Sequence, residues 1–344
     1  MNKAELVFAR PDELAAKTPP EIRGAGREDV RVLVSSNRGH EHARFGDLPR
    51  FLSPGDLLVV NESATLPASL PAAGRFGSFI LNLSTNYGRG LWAAEPRWST
   101  RRPGPLPFEP GDRIVAAGVA AKLLAPYPGI PRLWFVSFGN EIGRAMRQHG
   151  RPIRYGYLDH EYPLDAYQTI FARVPGSAEM PSAGRPFQRG DRRALEARGI
   201  EVKSVVLHTG VSSLEVETDE VEEQALYPEP FQVPAATAKA VNEAHEEGRR
   251  VIAVGTTVVR ALESAVVDGS VEPLSGFTRL YIHPARGVET VDGLITGFHD
   301  PVTSHLAMLY AIAGKERIRS AYEVAVSERY LWHEFGDSHL IFRG

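Results

Sequence analysis

The chain has 344 residues, of which 43% are hydrophobic, and carries 39 basic against 42 acidic side chains. That length accommodates two domains or one domain with a large insertion, and the near-neutral charge argues against nucleic-acid binding through bulk charge while leaving room for a local basic patch. The absence of cysteine excludes disulfides, thiolate metal sites and cysteine nucleophiles.

The N-terminal "MNKAELVFARPDELAAK" lacks the basic start and apolar run of a signal peptide. No apolar run reaches the roughly 18 residues that span a bilayer. The expectation is a soluble, cytoplasmic protein with no membrane association and no evident protein partner. In "FLSPGDLLVVNES" (51 to 63) a Pro-Gly turn feeds a strand that stops at Asn61. From Leu66 to about Gly139 short apolar pieces, "SFILNLS", "GLWAAEP", "DRIVAAG" and "RLWFVSF", alternate with Gly, Pro and Asn clusters, the texture of a small β-barrel or sandwich. A linker rich in Pro, Tyr and Gly, "HGRPIRYGYLDHEYP", follows.

From about 190 onward helical and strand signals alternate: helix "DRRALEARG", strand "VKSVVLHTG", helix "PAATAKAVNEAHEEG", strand "RVIAVGTT", helix "VVRALESAVVDG", strands "RLYIHP" and "VDGLITGF", then helices "PVTSHLAMLYAIAG" and "RIRSAYEVAVSERY". Alternation of this kind predicts an α/β domain. The expected fold class is therefore a larger α/β domain with a mixed sheet, residues 1–67 and 140–344, interrupted by a small inserted β-barrel over 68–139.

Ligands of open α/β sheets bind beyond the carboxyl ends of strands. Three segments have that form: "VVLHTG" ends in His208, Thr209 and Gly210; "VIAVGTT" ends in Gly255, Thr256 and Thr257; "LITGFHDP" ends in Phe298, His299 and Asp300. Histidine suits proton transfer near neutrality. Each residue also has a structural reading: the threonines as helix N-caps, the glycines as turn residues, Asp300 as a cap before Pro301. The case for function rests on repetition at several strand ends. "PGSAEMPSAGRPF" (175 to 187), with Pro181, Ser182, Ala183 and Gly184, suits either a loop that approaches a ligand closely or a plain connector. In "LYPEPF" Glu229 sits between two prolines, which makes it a candidate exposed, positioned carboxylate. No HExxH, GxxxxGK[ST], GxGxxG or GxSxG occurs, and the spacing of His333 and His339 does not fit one helical face, so no metal is assigned.

Seven segments in order, "PDELAAKTPP", "FGDLPRFLSPGDLLVVNES", "YQTIFARVPGSAEMPSAGRPF", "LHTG", "VIAVGTTVVRALESA", "LITGFHDP" and "ERYLWHEFGDSHLIF", resemble the S-adenosylmethionine:tRNA ribosyltransferase-isomerases of queuosine biosynthesis over nearly the whole chain. The resemblance implies an α/β domain interrupted by a small barrel, with S-adenosylmethionine as co-substrate and no metal. It implies transfer of the ribosyl part of S-adenosylmethionine to the aminomethyl group of a 7-deazaguanine in tRNA, forming epoxyqueuosine and releasing adenine and methionine. Matching family motif positions makes His208, His299, Glu229 and Asp337 catalytic candidates. The motif segments make Pro181, Ser182, Ala183, Gly184, Thr209, Gly210, Gly255, Thr256, Thr257 and Phe298 substrate-binding candidates, and Asp300, a carboxylate beside the retained histidine where the family has leucine, is a further one.

The match departs from the family inside its motifs. "PSAGRPF" puts Arg185 and Pro186 where the family has leucine and histidine, and "LYPE" puts Tyr227 and Pro228 for histidine and serine. "TGFHDP" has Gly297 and Asp300 for asparagine and leucine, while Ala64 and Ser69 replace arginines. Three readings follow: the family reaction on tRNA with unusual motifs; a divergent paralogue that uses S-adenosylmethionine on a different small-molecule acceptor or cleaves it with adenine release; and a non-catalytic S-adenosylmethionine-binding protein.

Overall fold

The computed structural model describes residues 1–139, 141–211, 216, 218–224 and 226–344. Its larger part is a nine-stranded sheet in the order Leu274–Thr278, Glu229–Val233, Glu201–Leu207, Leu57–Asn61, Val251–Val254, Gly293–Gly297, Ser338–Phe342, Arg31–Ser36 and Gly39–Arg44. The four central strands, Glu201–Leu207 through Gly293–Gly297, are mutually parallel. The flanking Glu229–Val233 and Ser338–Phe342 strands run antiparallel to them. Strands covered on both faces read as continuous apolar runs, which accounts for "LLVV". Leu57 and Val59 belong to the core on one face with Val258, Leu262 and Leu309, whereas Leu58 and Val60 pack on the other with Phe45, Phe171 and Phe187.

The second part is a closed, all-antiparallel six-stranded barrel: Ser69–Gly74, Gly77–Gly88, Leu91–Arg97, Arg113–Ala116, Val119–Tyr127 and Ile130–Phe138. Closure removes the free edges that a sheet of this size would otherwise expose. The chain leaves the sheet through Ser63–Thr65 and returns through Val174–Ser177, which pair in parallel as a short two-stranded ribbon. The boundary expected at 140 falls outside the described residues.

The departure at Asn61 has a physical cause. Past this residue the backbone swings toward the barrel and no longer pairs with Leu207. The buried Asn61 side chain takes over: its Oδ1 accepts from Leu207 N (3.1 Å) and Ser63 N (3.0 Å), and its Nδ2 donates to Leu207 O (2.9 Å) and Thr257 Oγ1 (3.1 Å). One amide thereby completes a ladder that the main chain has left.

Two elements differ from the sequence expectation. "AVVDG" does not extend the helix, which ends at Ser264; Val266–Val267 and Ser270–Val271 form a hairpin instead. Asp268 (φ 49°) and Gly269 (φ 81°) make its turn, the Asp-Gly combination favoured in two-residue hairpins. The outermost strand is Leu274–Thr278, not "RLYIHP". Its residues are mostly exposed, as an edge strand with one partner permits, so no apolar alternation marks it. Among the described residues no helix is long and apolar enough to cross a membrane.

Replacing Asn61 by leucine keeps the volume and removes all four hydrogen bonds, leaving the buried N–H and C=O of Leu207 unpaired. A loss of about 2–4 kcal/mol in unfolding free energy is expected from two such groups, measured by urea denaturation. A loss below about 1 kcal/mol would refute the bridging role.

Candidate functional site

Parallel pairing of the four central strands puts their carboxyl ends at one edge of the sheet, and antiparallel pairing brings the starts of Glu229–Val233 and Ser338–Phe342 to the same edge. His208, Gly255, His299, Glu229 and Asp337 therefore gather there from positions spread along the chain between 208 and 337. A cleft of ≈ 800 Å³ opens over this edge. Its floor includes Thr209, Gly255, Thr256, Thr257, Phe298, His299 and Asp300; one wall carries Pro181, Ser182 and Ala183; the other carries Tyr155, Tyr157, His333 and Glu334. A smaller pocket of ≈ 40 Å³ adjoins it, sharing Thr209, Thr256, Thr257 and His305 and adding Tyr227, Glu229 and Arg260.

The helix Thr256–Ser264 starts in the cleft. Its N-cap is Gly255 (φ 101°), a left-handed conformation that favours glycine. The threonines are not caps: no side chain caps this helix, so no side chain takes up its first N–H groups at the positive end of its dipole, where Thr256 and Thr257 line the cleft. Beside it, the buried Thr209 hydroxyl has no hydrogen-bond partner among the described residues.

His299 is half-buried in the floor. Its Nε2 lies 2.9 Å from Thr296 Oγ1, its main-chain N–H donates to Tyr322 (3.2 Å), and its carbonyl accepts from Trp332 Nε1 (3.0 Å). Burial first, then the neighbouring His305, His333 and His339, hold its pKa well below the usual histidine value. His305 stacks on it at 4.5 Å with ring planes 8° apart, and burial pushes the His305 pKa down to about 4. Both rings are accordingly neutral at pH 7. The adjacent Asp300 pairs with Arg10 at 2.8 Å and lies 3.7 Å from His333 Nε2. The structural reading of Asp300 as a helix cap is not what is found, because Thr303 caps the following helix.

The other catalytic candidates stand behind the cleft lining. His208 is held at Nδ1 by Ser63 Oγ (2.7 Å), which in turn meets Ser177 Oγ at 2.5 Å. A Cβ on Gly176 would lie 2.4 Å from the imidazole, so this ring needs glycine above it. Burial lowers the His208 pKa. Glu229 is buried rather than exposed: it accepts from Gly210 N (2.7 Å) and from Arg260, one turn into the cleft helix. Asp337 accepts from Arg31 N and Leu331 N, each at 2.8 Å, and from the Arg31 guanidinium at 3.1 Å. It thereby closes the 331–337 loop that presents His333, whose φ of 72° is left-handed. Of the glycines, Gly184 packs on Phe171 and Gly210 against Tyr227 and Ser84, outside the cleft surface.

Sequence reasoning missed the aromatic wall. Tyr155 and Tyr157 stack at 6.4 Å and 15°, and Tyr157 and His333 at 4.1 Å and 14°. The Tyr157 hydroxyl donates to Glu334, and burial with that carboxylate raises its pKa well above the usual value. Three aromatic residues in "YGYLDHEYP" were the available signal. Among the described residues no group of three or more His, Asp or Glu is placed to hold a metal ion.

The residues that depart from the family's motifs have partners of their own. Arg185 is buried, pairs with both oxygens of Glu21 at 3.0 Å and lies 4.7 Å from the Phe335 ring centroid. The Tyr227 hydroxyl donates to Val211 O at 2.7 Å.

A mixed sheet offering polar strand ends and an open helix N-terminus to a cleft, with a barrel inserted in the chain, defines a ligand-binding α/β protein of interrupted-domain type. The chain belongs to the family described as "Queuosine biosynthesis protein", whose family model matches residues 3–341. It is 40% identical to the S-adenosylmethionine:tRNA ribosyltransferase-isomerase of Rubrobacter xylanophilus, covering 100% of this chain and 98% of that protein. It is 36% identical to the enzyme of the same name from Carboxydothermus hydrogenoformans, covering 99% and 100%. The solved structure of S-adenosylmethionine tRNA ribosyltransferase from Thermotoga maritima matches with a TM-score of 0.55 at 28% identity, over 98% of this chain and 100% of that one. The α/β sheet with its inserted barrel is thus the fold of this family.

Glu229→Ala removes the carboxylate partner of Arg260, which keeps only its bond to Leu280 O, and leaves the Gly210 N–H unpaired in a buried site. The expected cost is about 3–5 kcal/mol, read from urea unfolding at pH 7, with Glu229→Gln recovering part of it. A variant as stable as the parent would show that the pair does not organise the cleft helix.

Proposed function

We propose that this chain transfers and isomerises the ribosyl group of S-adenosylmethionine onto a 7-aminomethyl-7-deazaguanine base in tRNA, releasing adenine and methionine. The observation that carries this reading is the convergence of the family's strand-end motifs on one cleft. Residues 1–67 and 140–344 are read as the reacting unit and 68–139 as an inserted one, in a protein that works in the cytoplasm, where both substrates are found.

The sulfonium supplies the activation, so the reaction is read as needing no metal. It acidifies the C5′ hydrogens, and removal of one gives an ylide-like carbanion whose electron pair opens the ribose ring as adenine leaves. The amine of the acceptor then adds, and methionine departs as the epoxide closes. Such a path needs a neutral base at working pH and a site poor in water. We assign His299 as the proton acceptor, since its lowered pKa keeps it unprotonated and it lines the cleft. The free N–H groups at Thr256 and Thr257 suit the carboxylate of the methionine part, and Thr209 offers an unused hydroxyl to the ribose. His208, Glu229 and Asp337 act as positioning residues, holding the Ser63–Ser177 contact, the Gly210 turn and the His333 loop respectively.

Adenine release followed by chromatography, with and without tRNA bearing the aminomethyl-deazaguanine, tests the reading. Release that depends on the tRNA supports it; release without tRNA would indicate another acceptor or simple cleavage. His299→Ala is expected to lower kcat by about 10²–10⁴, the range of one general base, and His208→Ala by less. Because the folded-state pKa of His299 is lowered, its base form persists below pH 6.5. Activity should hold on acidification through that value and fall only further down, and this acid limb should vanish in His299→Ala. An acid limb centred above 6.5 would exclude His299 as the base.

A further inference from the structure

A second large groove, of ≈ 950 Å³, runs from the cleft along the seam between the barrel and the segment 147–167. Pro152 and Tyr167 line both, so the two adjoin. The groove is lined by Arg97, Arg147, Arg151 and Arg154 against a single carboxylate, Glu161. Two of these arginines are occupied, Arg97 with buried Glu95 and Arg151 with Glu161. Arg147 and Arg154 have no ion-pair partner among the described residues, and neither have Arg144 on the same helix, Ile142–His149, or Arg101 and Arg102. The 99–102 turn is fixed beside the aromatic wall: a Cβ on Gly156 would meet Arg101 Cα at 3.4 Å, and Gly156 lies between Tyr155 and Tyr157. Arg102 covers the Trp98 ring at 5.0 Å, which steers its guanidinium without neutralising it. Of the acids around the groove and the wall, Glu179 and Glu334 accept from the Tyr155 and Tyr157 hydroxyls, and Glu141 and Asp159 are exposed.

We infer that Arg101, Arg102, Arg144, Arg147 and Arg154 form a rail for the phosphate backbone of the tRNA acceptor, leading its modified base to the Tyr155–Tyr157–His333 wall. This rests on the tRNA reading above. Guanidiniums without carboxylate partners are free to take phosphates in bidentate fashion. Arg147 and Arg154 line the groove, Arg101 and Arg102 follow its Thr100 in sequence, and Arg144 stands one helical turn before Arg147; in a chain whose net charge is −3, this grouping concentrates the attraction on one path. A base drawn from its stack finds planar rings already parallel to receive it.

The test compares the parent with Arg101→Gln/Arg102→Gln/Arg144→Gln/Arg147→Gln, none of which contacts the cleft. Arg193→Gln/Arg198→Gln, near the opposite strand ends, serves as a charge control. Binding of fluorescently labelled tRNA is followed by anisotropy across a salt series, and the affinity for S-adenosylmethionine alone is measured by calorimetry. The rail predicts at least about a tenfold loss of tRNA affinity at moderate salt. It also predicts a salt slope flatter by roughly one unit per phosphate contact removed. S-adenosylmethionine affinity and the control variant should remain unchanged. Parent-like tRNA affinity and slope in the fourfold variant would overturn the rail, as would an equal loss in the control. Failure of the catalytic reading is separate: the parent would bind tRNA with the expected slope yet release no adenine in its presence.

Discussion

The side chain of Asn61 holds together what the topology would otherwise separate. A strand at the centre of a parallel sheet must surrender its partners if the chain is to leave for a barrel, and unpaired N–H and C=O groups at that depth are costly. By bonding both main-chain groups of Leu207 and reaching Thr257 as well, one amide ties three strand ends together at the point where the cleft begins. The excursion and the site are therefore two consequences of one substitution of side chain for backbone.

From that point the cleft follows from strand direction. Four parallel strands deliver His208, Gly255, His299 and the end of Leu57–Asn61 to one edge, and two antiparallel neighbours add Glu229 and Asp337. Burial then sorts these groups. Histidines taken from water lose their proton, as His299 and His305 do, whereas the carboxylates accept main-chain N–H groups and arginines and become struts. A residue at a strand end thus becomes cleft surface or scaffold according to what stands over it: Gly176 over His208, the cleft beside His299.

Much of this could be read from residues alone. The apolar run before Asn61, the close turns of 66–139 and the alternation after 190 each carry a local period, so the two-part fold was visible. The three strand-end motifs, which stand at the edge where the cleft opens, were legible because a Gly or His after an apolar run interrupts that period. The aromatic wall was not legible, since Tyr157 and His333 come from distant loops and only tertiary packing stacks them. Nor was the difference between His208 and His299, which share the same local pattern and differ in what other segments lay against them. "AVVDG" misled for a related reason: its apolar residues suit a helix, and the Asp-Gly turn that outweighs them acts through two residues.

The strand Ser338–Phe342 lies inside the sheet, between Gly293–Gly297 and Arg31–Ser36, and is the link through which the hairpin of Arg31–Arg44 joins the other strands. A ribosome emits that hairpin some three hundred residues before the strand it docks on. Until then both edges of the hairpin lack a partner strand. The barrel, whose six strands pair with one another within 69–138 and meet the later chain at the Ser69–Arg151 bridge, can assemble early while its host waits. The aromatic wall with His333 is thus completed only after the residues of both the hairpin and the barrel have been made.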